Sequence, residues 1–467
     1  MSARELNRRL TSVDATFLYG EKPTQPMHVG GCMIYEGRLS LEALIGALDA
    51  RLHLLPRYRQ KVVFPPFGLA HPTWEDDPEF EIRNHAAEIA LPSPGDERML
   101  SEAGGRAFAG MLDRNHPLWK LIVVHGRADG NTAVIWKIHH AMIDGVSGVD
   151  LTMVLHDLKP DAAPPEPPAA PWRPQPVPDP LTLLQDSVRD RLTEVARIAT
   201  DETFRLLRPT QVEARVRQLA SAVTSSAPNV LRPAPRVPFN GTIGPERRFG
   251  WAEFSFGEFR HVKSVLGGTI NDVVLAAVAG ALRAWLMTRA ESVTTATIVR
   301  AMVPVSVQDD DESHPIGNRV SSYLVDLPVG EPSAVMRLHQ VSYRMKAHKE
   351  TGQAVGAESL VGLAGFAPPT LHALGARAAS SMSKRWFNLV VTNVPGPQQP
   401  LYVGGARMLA SYPVVPLAKT QAVSIGLTSY DGQVFYGLNA DRDAMPDIEV
   451  LGQCIVDAVA ELLESVR

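Results

Sequence analysis

A proline-dense stretch near the middle of the chain, Lys159 to Pro180 (KPDAAPPEPPAAPWRPQPVPDP), restricts the fold more than any other segment. Proline fixes its own φ, removes a backbone donor and pushes the preceding residue out of the helical region, so such a run stays extended and joins no core. It reads as a linker. A chain of 467 residues exceeds one ordinary core, and this linker divides it into two masses of the size that fold around separate cores. Both masses mix the strand period of two with the helical period. Before the linker, PMHVGGCMIYEG, LWKLIVVHG and TAVIWKIHH read as strands and LSLEALIGALDARLHLLP as a helix. After it, LTLLQDSVRDRLTEVARIATDETFRLL has helical spacing, and a second mixed region starts near FNGTIGPERRFGWAEFSF. That region has strand patterns at VTTATIVRAMVPVSV, NRVSSYLVDLP, FNLVVTNVPG and AVSIGLTSYDGQVFYGLNAD, and it closes on the helix DIEVLGQCIVDAVAELLESV. The expected architecture is α/β in two halves, residues 1–158 and 239–467, joined by residues 159–238, a proline-rich linker followed by crossover helices.

Composition narrows the function. The 45% hydrophobic and 21% charged residues are those of a folded protein, and a formal net charge of -4 without any Lys/Arg-rich block supplies no field to hold nucleic acid. Cys32 and Cys454 lie far apart with no cysteine near either, so neither a disulfide framework nor a CxxC metal site is expected, and a reducing cytoplasm fits. The start, MSARELNRRLTSVDATFLYG, is basic but lacks the apolar core of a signal peptide. No segment reads as a clean membrane span of about 18 apolar residues. One uncharged stretch, Ser359 to Ala376 (SLVGLAGFAPPTLHALGA), is interrupted by Pro368 and Pro369. It reads as a buried helix pair, with a lipid-facing or substrate-facing hydrophobic surface as the second reading.

Several enzyme signals are missing. GVSGV misplaces the glycines of a GxSxG nucleophile elbow, and GxxxxGK, GxGxxG and HExxH do not occur. What remains is KIHHAMIDG. If Ala133 to His140 is extended, His140 shares a face with Val134, Trp136 and Ile138, and His139 with Ile135 and Lys137. The two histidines then diverge, and only one can serve a given site directly. Asp144 falls with Gly145 in the turn before a helical pattern, where a carboxylate can order the turn by accepting backbone N–H bonds or by pairing with an arginine. The same divergence disfavours a metal site built from His139, His140 and Asp144. By residue type alone, a plain strand-end histidine that closes a turn stays open beside a catalytic base.

As a whole, HHAMIDG matches the HHxxxDG motif of the acyltransferase superfamily typified by chloramphenicol acetyltransferase, which also includes peptide-synthetase condensation domains. Further stretches resemble one branch, the bacterial wax ester synthase/diacylglycerol acyltransferase family. They are LTSVDATFLYG and PMHVGG, LDRNHPLWK with its PLW triplet, TINDVVLAAVAGALRAWL with its ND pair, MVPVSV, GNRVSSYLVDLP, NLVVTNVPGP, LYVGGARM and ADRDAMPD. The resemblance spans nearly the whole chain outside the linker. It implies a two-domain CoA-dependent-acyltransferase-like fold with the active-site channel between the halves and His140 as general base. The acyl group would pass from a long-chain acyl-CoA to diacylglycerol or a long-chain alcohol, with no covalent enzyme intermediate and no permanently bound cofactor or metal.

In that reading His139 and Asp144 support the base, and Gly145 belongs to the same motif. Pro117, Leu118 and Trp119 are expected at the substrate channel as wall and packing residues, Trp119 being more often core by type. Asn271 and Asp272 stand where a helix would start, and Asn271 reads either as a helix cap or as a donor to the oxyanion. The expected setting is cytoplasmic, peripherally bound to membrane or lipid droplets. The rivals are a different alcohol acceptor within the superfamily and a non-catalytic lipid-binding or lipid-droplet protein.

Overall fold

Strand pairing, rather than chain order, defines the two halves. The computed structural model describes residues 8–189 apart from 144–151, 153, 164 and 169, together with residues 233–306, 320–351, 355–356 and 386–467. The first half runs through α1 (Ser12–Gly20), β1 (His28–Tyr35), α2 (Leu41–Asp49), β2 (Gln60–Val63), β3 (Thr73–Asp76), β4 (Ala86–Ala90), α3 (Glu97–Ala109), β5 (Trp119–His125) and β6 (Thr132–His139). The second contains β7 (Arg247–Ser255), α4 (Phe256–Leu266), α5 (Ile270–Thr288), β8 (Val299–Ser306), β9 (Val320–Leu327), α6 (Ala334–Thr351) and β10 (Val355–Gly356). It continues with β11 (Leu389–Pro395), β12 (Tyr402–Val403), β13 (Ala406–Val414), β14 (Val423–Tyr430), β15 (Gln433–Asp441) and α7 (Ile448–Glu464).

A six-stranded sheet has the order β12-β13-β1-β6-β5-β4 and a seven-stranded sheet the order β10-β9-β8-β11-β14-β15-β7. Two strands from late in the chain therefore complete the first sheet, with β13 pairing antiparallel to β1. The chain-order halves expected from the linker do not describe this exchange. Between a turn at Lys159–Ala162 and a helical Pro180, the described part of the linker has no regular secondary structure, and it lies against the first half. Trp172 packs edge-on to Phe80 and carries the Arg59 guanidinium over its ring, while the Gln175 amide donates to Asp76.

Each sheet has its own core. In the first, β6 is buried at every residue. Its Lys137 is anchored by donating Nζ to the carbonyls of Ala107 and Gly110 at the C-terminal end of α3, where a cation complements the helix dipole. In the second, the segment Val273–Leu282 of α5 is buried throughout and packs on α6 and α7. The helix α5 also corrects an expectation, because at 19 residues it is long and apolar enough to cross a membrane. Most of its length is buried inside the protein, so it serves as a core helix.

Candidate active site

The site is assembled where β1, β6 and the end of α1 meet. β1 and β6 pair antiparallel with His28 opposite His139. Their approach depends on Gly30, where a Cβ would lie 1.8 Å from the Trp136 carbonyl oxygen. β6 ends at His139, one residue earlier than the extended reading through His140 assumed, and His140 opens a short 3₁₀ turn, His140–Met142. The two rings diverge because the chain leaves the sheet between them.

His139 is fully buried; its Nδ1 is hydrogen-bonded, and its Nε2 lies at ion-pair distance from a carboxylate without a hydrogen bond among the described residues. Nδ1 accepts from the Ala141 amide at 3.0 Å, capping the turn, so the ring proton sits on Nε2, 3.4 Å from Glu21 Oε1. Glu21 follows α1 and is the centre of a buried cluster. Its side chain accepts from the Met27 amide at 3.0 Å and from Arg114 at 2.8 Å, and His28 Nε2 lies 3.3 Å away. Burial works to raise the Glu21 carboxyl, but His139, His28 and Arg114 outweigh it and hold the group far below the usual carboxylate range. His28 goes the other way, pushed down to about 4 by burial against the partial support of Glu21.

His140 is held differently. Its ring lies on Phe17 of α1 at 3.9 Å between centroids and 17° from parallel, and its amide donates to the Met27 carbonyl at 2.8 Å. Desolvation lowers its pKa to about 4, with its own carbonyl working against the shift and His139 adding to it. The imidazole is therefore neutral at pH 7. Nδ1 is buried with no hydrogen-bond partner among the described residues. With the proton on Nδ1, the Nε2 lone pair remains as the acceptor.

The other expected residues fall in three places. Asp144 and Gly145 lie outside the described residues. Pro117, Leu118 and Trp119 are buried, Leu118 at 0% and Trp119 at 1% exposure, so they form core rather than a channel wall. Trp119 stacks on His85 at 4.5 Å and donates Nε1 to the Tyr58 carbonyl, while the Leu118 carbonyl accepts the His139 amide at 2.9 Å. The triplet thus supports the histidine strand from behind.

Asn271 is not the helix cap. Thr269 caps α5 by accepting from the Asp272 amide, and Asp272 returns a bond to the Thr269 amide, a reciprocal capping box that places Asn271 in the first turn. The Asn271 side-chain oxygen accepts from Asn393 at 3.3 Å, which leaves its amide NH₂ as a donor.

Phe17, Glu21, His28 and Arg114 were not singled out from the sequence for chemistry. The first three stand in or beside LTSVDATFLYG and PMHVGG, where an isolated Glu and His bracket a proline-containing turn.

Residues 10–274 match the wax ester synthase/diacylglycerol acyltransferase catalytic domain, and residues 316–463 match the C-terminal domain of the same family. The chain belongs to the wax ester synthase/diacylglycerol acyltransferase family. Its fold is that of an acyltransferase enzyme. A putative diacylglycerol O-acyltransferase of Mycobacterium tuberculosis (strain H37Rv) is 32% identical over 98% of this chain and 90% of its own length. Among solved structures, the wax ester synthase/diacylglycerol acyltransferase from Marinobacter aquaeolei VT8 is 26% identical with a TM-score of 0.68, covering 98% of this chain and 99% of that one. The starter condensation domain of rhizomide synthetase, solved with C8-CoA and Leu-SNAC, shares the fold at 14% identity and a TM-score of 0.57, covering 100% of this chain and 95% of that one.

Proposed function

We propose that this chain is an acyl-CoA-dependent O-acyltransferase that esterifies diacylglycerol to triacylglycerol and accepts long-chain alcohols to give wax esters. The observation that carries the reading is the division of labour in the histidine pair. His139 is tied into the turn through Nδ1 and faces Glu21 with Nε2, while His140 is neutral and stacked on Phe17 outside that cluster, free to act as the base. The names of the similar proteins supply the substrate class. His140 Nε2 takes the hydroxyl proton as the acceptor oxygen attacks the thioester carbonyl. Collapse of the tetrahedral adduct forms the ester and breaks the carbon–sulfur bond, and the departing CoA thiolate takes the proton back from His140. Asn271 supports the adduct as a donor to its oxyanion, oriented by Asn393. Assaying the purified chain with radiolabelled palmitoyl-CoA and a panel of acceptors tests the reading. Incorporation into neither triacylglycerol nor wax ester would contradict it, and bound lipid without turnover would favour the lipid-binding rival.

Direct transfer requires no acyl-enzyme, and the cysteines agree with that. Cys32 is buried and desolvation pushes its thiol up to about 12, so little thiolate exists at neutral pH. Cys454 is also buried and free. Intact-mass measurement after incubation with acyl-CoA alone is expected to show unmodified protein. A stoichiometric acyl adduct on Cys32 or Ser147 would establish a two-step mechanism instead.

The acceptors and products live in lipid, and the reading includes a cytoplasmic enzyme bound peripherally to membranes or droplets. The uncharged stretch Ser359 to Ala376 lies outside the described residues. A second apolar feature supports the same reading. The turn between β2 and β3, Phe64 to Leu69, exposes Phe67 by 82% at a φ of 58° and leaves Phe64 and Leu69 exposed as well. An exposed aromatic in the left-handed region is a costly arrangement for water alone, and aromatic side chains suit the lipid–water boundary. Phe64 also lies 6.0 Å from Arg114, the partner of Glu21, so the turn adjoins the site. In vesicle flotation, Phe67→Glu is expected to lose most binding to neutral and anionic vesicles alike. Unchanged binding would remove this turn from the contact.

A further inference from the structure

The seam between the halves holds a recess that the histidine chemistry leaves unused. It is an open recess of about 160 Å³, with Glu102 and Arg106 of α3 on one side and Glu246, Arg247, Arg248 and Arg442 on the other. Tight backbone contact shapes it. A Cβ on Gly105 would lie 2.3 Å from the Arg247 carbonyl oxygen, and Ser101 donates its hydroxyl to the Phe249 carbonyl. With helix and strand backbones locked together, the long side chains flanking the contact splay outward around an open space.

The arginines differ in their commitments. Arg247 is buried and structural, donating Nη1 to the carbonyls of Gly244 and Glu246 and Nη2 to that of Thr24. Arg106 stands 3.9 Å from Glu102, and Arg442 stands 4.0 Å from Glu246, both beyond hydrogen-bond reach. Arg248 gives one nitrogen to Glu449 at 3.0 Å, while its Nε is buried without a hydrogen-bond partner among the described residues. Three guanidinium groups with donors to spare therefore converge on one concavity. Planar, permanently charged forks of this kind match phosphate oxygens two at a time.

We propose that this recess takes the phosphate groups at the nucleotide end of the acyl-CoA donor, an assignment that rests on the acyl-CoA reading above. Its position suits that ligand. Thr24, gripped by Arg247, is three residues before Met27, whose carbonyl holds the His140 amide. Three residues span at most about 10 Å, and a pantetheine arm with two amides in line reaches on the order of 15 Å at peptide-like spacing. A donor phosphate in the recess thus leaves the thioester within reach of His140. A ligand at the junction of two halves is also the usual placement for a substrate site.

The test uses the full chain and an Arg106→Ala/Arg442→Ala variant, both substitutions being on exposed side chains. Calorimetry with adenosine 3′,5′-bisphosphate is expected to show binding to wild type and binding about tenfold to a hundredfold weaker to the variant, the loss appropriate to charge-assisted bonds. Kinetically, the preference for palmitoyl-CoA over the phosphate-free palmitoyl-N-acetylcysteamine, read as a ratio of kcat/KM, should fall by a similar factor. Equal bisphosphate affinity in the two proteins, or an unchanged ratio, overturns the assignment. So does a variant that loses only binding to phosphatidic-acid vesicles, which makes the recess a headgroup site. If wild type uses neither thioester, the acyl-transfer reading fails, and the calorimetric comparison still decides whether the recess binds the nucleotide phosphates.

Discussion

His140→Ala is expected to lower kcat by about two to four orders of magnitude, the usual worth of a positioned general base, while the protein stays folded. Folding should survive because the ring is a neutral, desolvated group with an unpartnered Nδ1, so its removal takes away a stacking contact with Phe17 but breaks no ion pair. His139→Ala differs in kind. It removes the cap of the turn and a neighbour of Glu21, so loss of activity should come with loss of stability. Urea unfolding and kcat measured on the same preparations separate the two, and near-wild-type turnover in a folded His140→Ala enzyme would sink the assignment.

The pH dependence follows from the same burial. His28, His140 and His156 are each held at about 4, against an ordinary value of 6.5. Between those values the unfolded chain binds more protons than the folded one, so stability is complete above about pH 6.5 and is lost as pH falls towards 4. Three such rings amount to several kcal/mol in all, an order-of-magnitude sum. His140 itself stays in its base form down to about pH 4. Activity on the acid side should therefore be limited by unfolding before it is limited by titration of the base. His140→Ala, lacking one of the three rings, should unfold at a slightly lower pH than wild type.

Local periodicity made much of this fold legible. The alternation in TAVIWKIHH and LWKLIVVHG, the apolar run after the ND pair and the amphipathic closing helix correspond to β6, β5, α5 and α7. Partner choice was not legible, since nothing within residues 402–414 says that β12 and β13 leave the half in which they occur and extend the other sheet. The site shows the same divide. HHAMIDG marks the histidines, but that His139 is committed to Glu21 depends on the register that sets His28 opposite it and on where α1 ends. Asn271 was misread as a possible cap for a related reason. Thr269, Asn271 and Asp272 are all good capping types, and only the start of helical backbone at Ile270 selects Thr269. The PLW triplet reads as wall and packing residues, with Trp119 more often core by type, and packing around Tyr58 and His85 gives Trp119 that core position.

Glu21→Ala should be among the most destabilising single substitutions in the first half, costing about 3 to 5 kcal/mol, because it leaves a buried arginine contact and a buried amide without their acceptor. The Glu21 side chain is 1% exposed and that of Arg114 33%, so solvent replaces the lost carboxylate poorly at one end only. Glu21→Gln keeps an oxygen for the Met27 amide and should cost less. Catalysis should fall in both, since the Nε2 proton of His139 loses its anionic neighbour and the turn that aims His140 is loosened. The pH signature distinguishes this role from simple packing. Because the folded carboxyl is depressed far below its ordinary value of 4.5, its stabilisation is fully present above that pH and disappears only on strong acidification. The difference in unfolding free energy between wild type and Glu21→Gln should then be level from about pH 8 to pH 5 and shrink below it. Adding Arg114→Leu to Glu21→Ala should recover part of the loss by removing the orphaned charge. A Glu21→Ala protein within about 1 kcal/mol of wild type, with unchanged kcat, would mean that the cluster neither holds this end of the sheet nor positions the base.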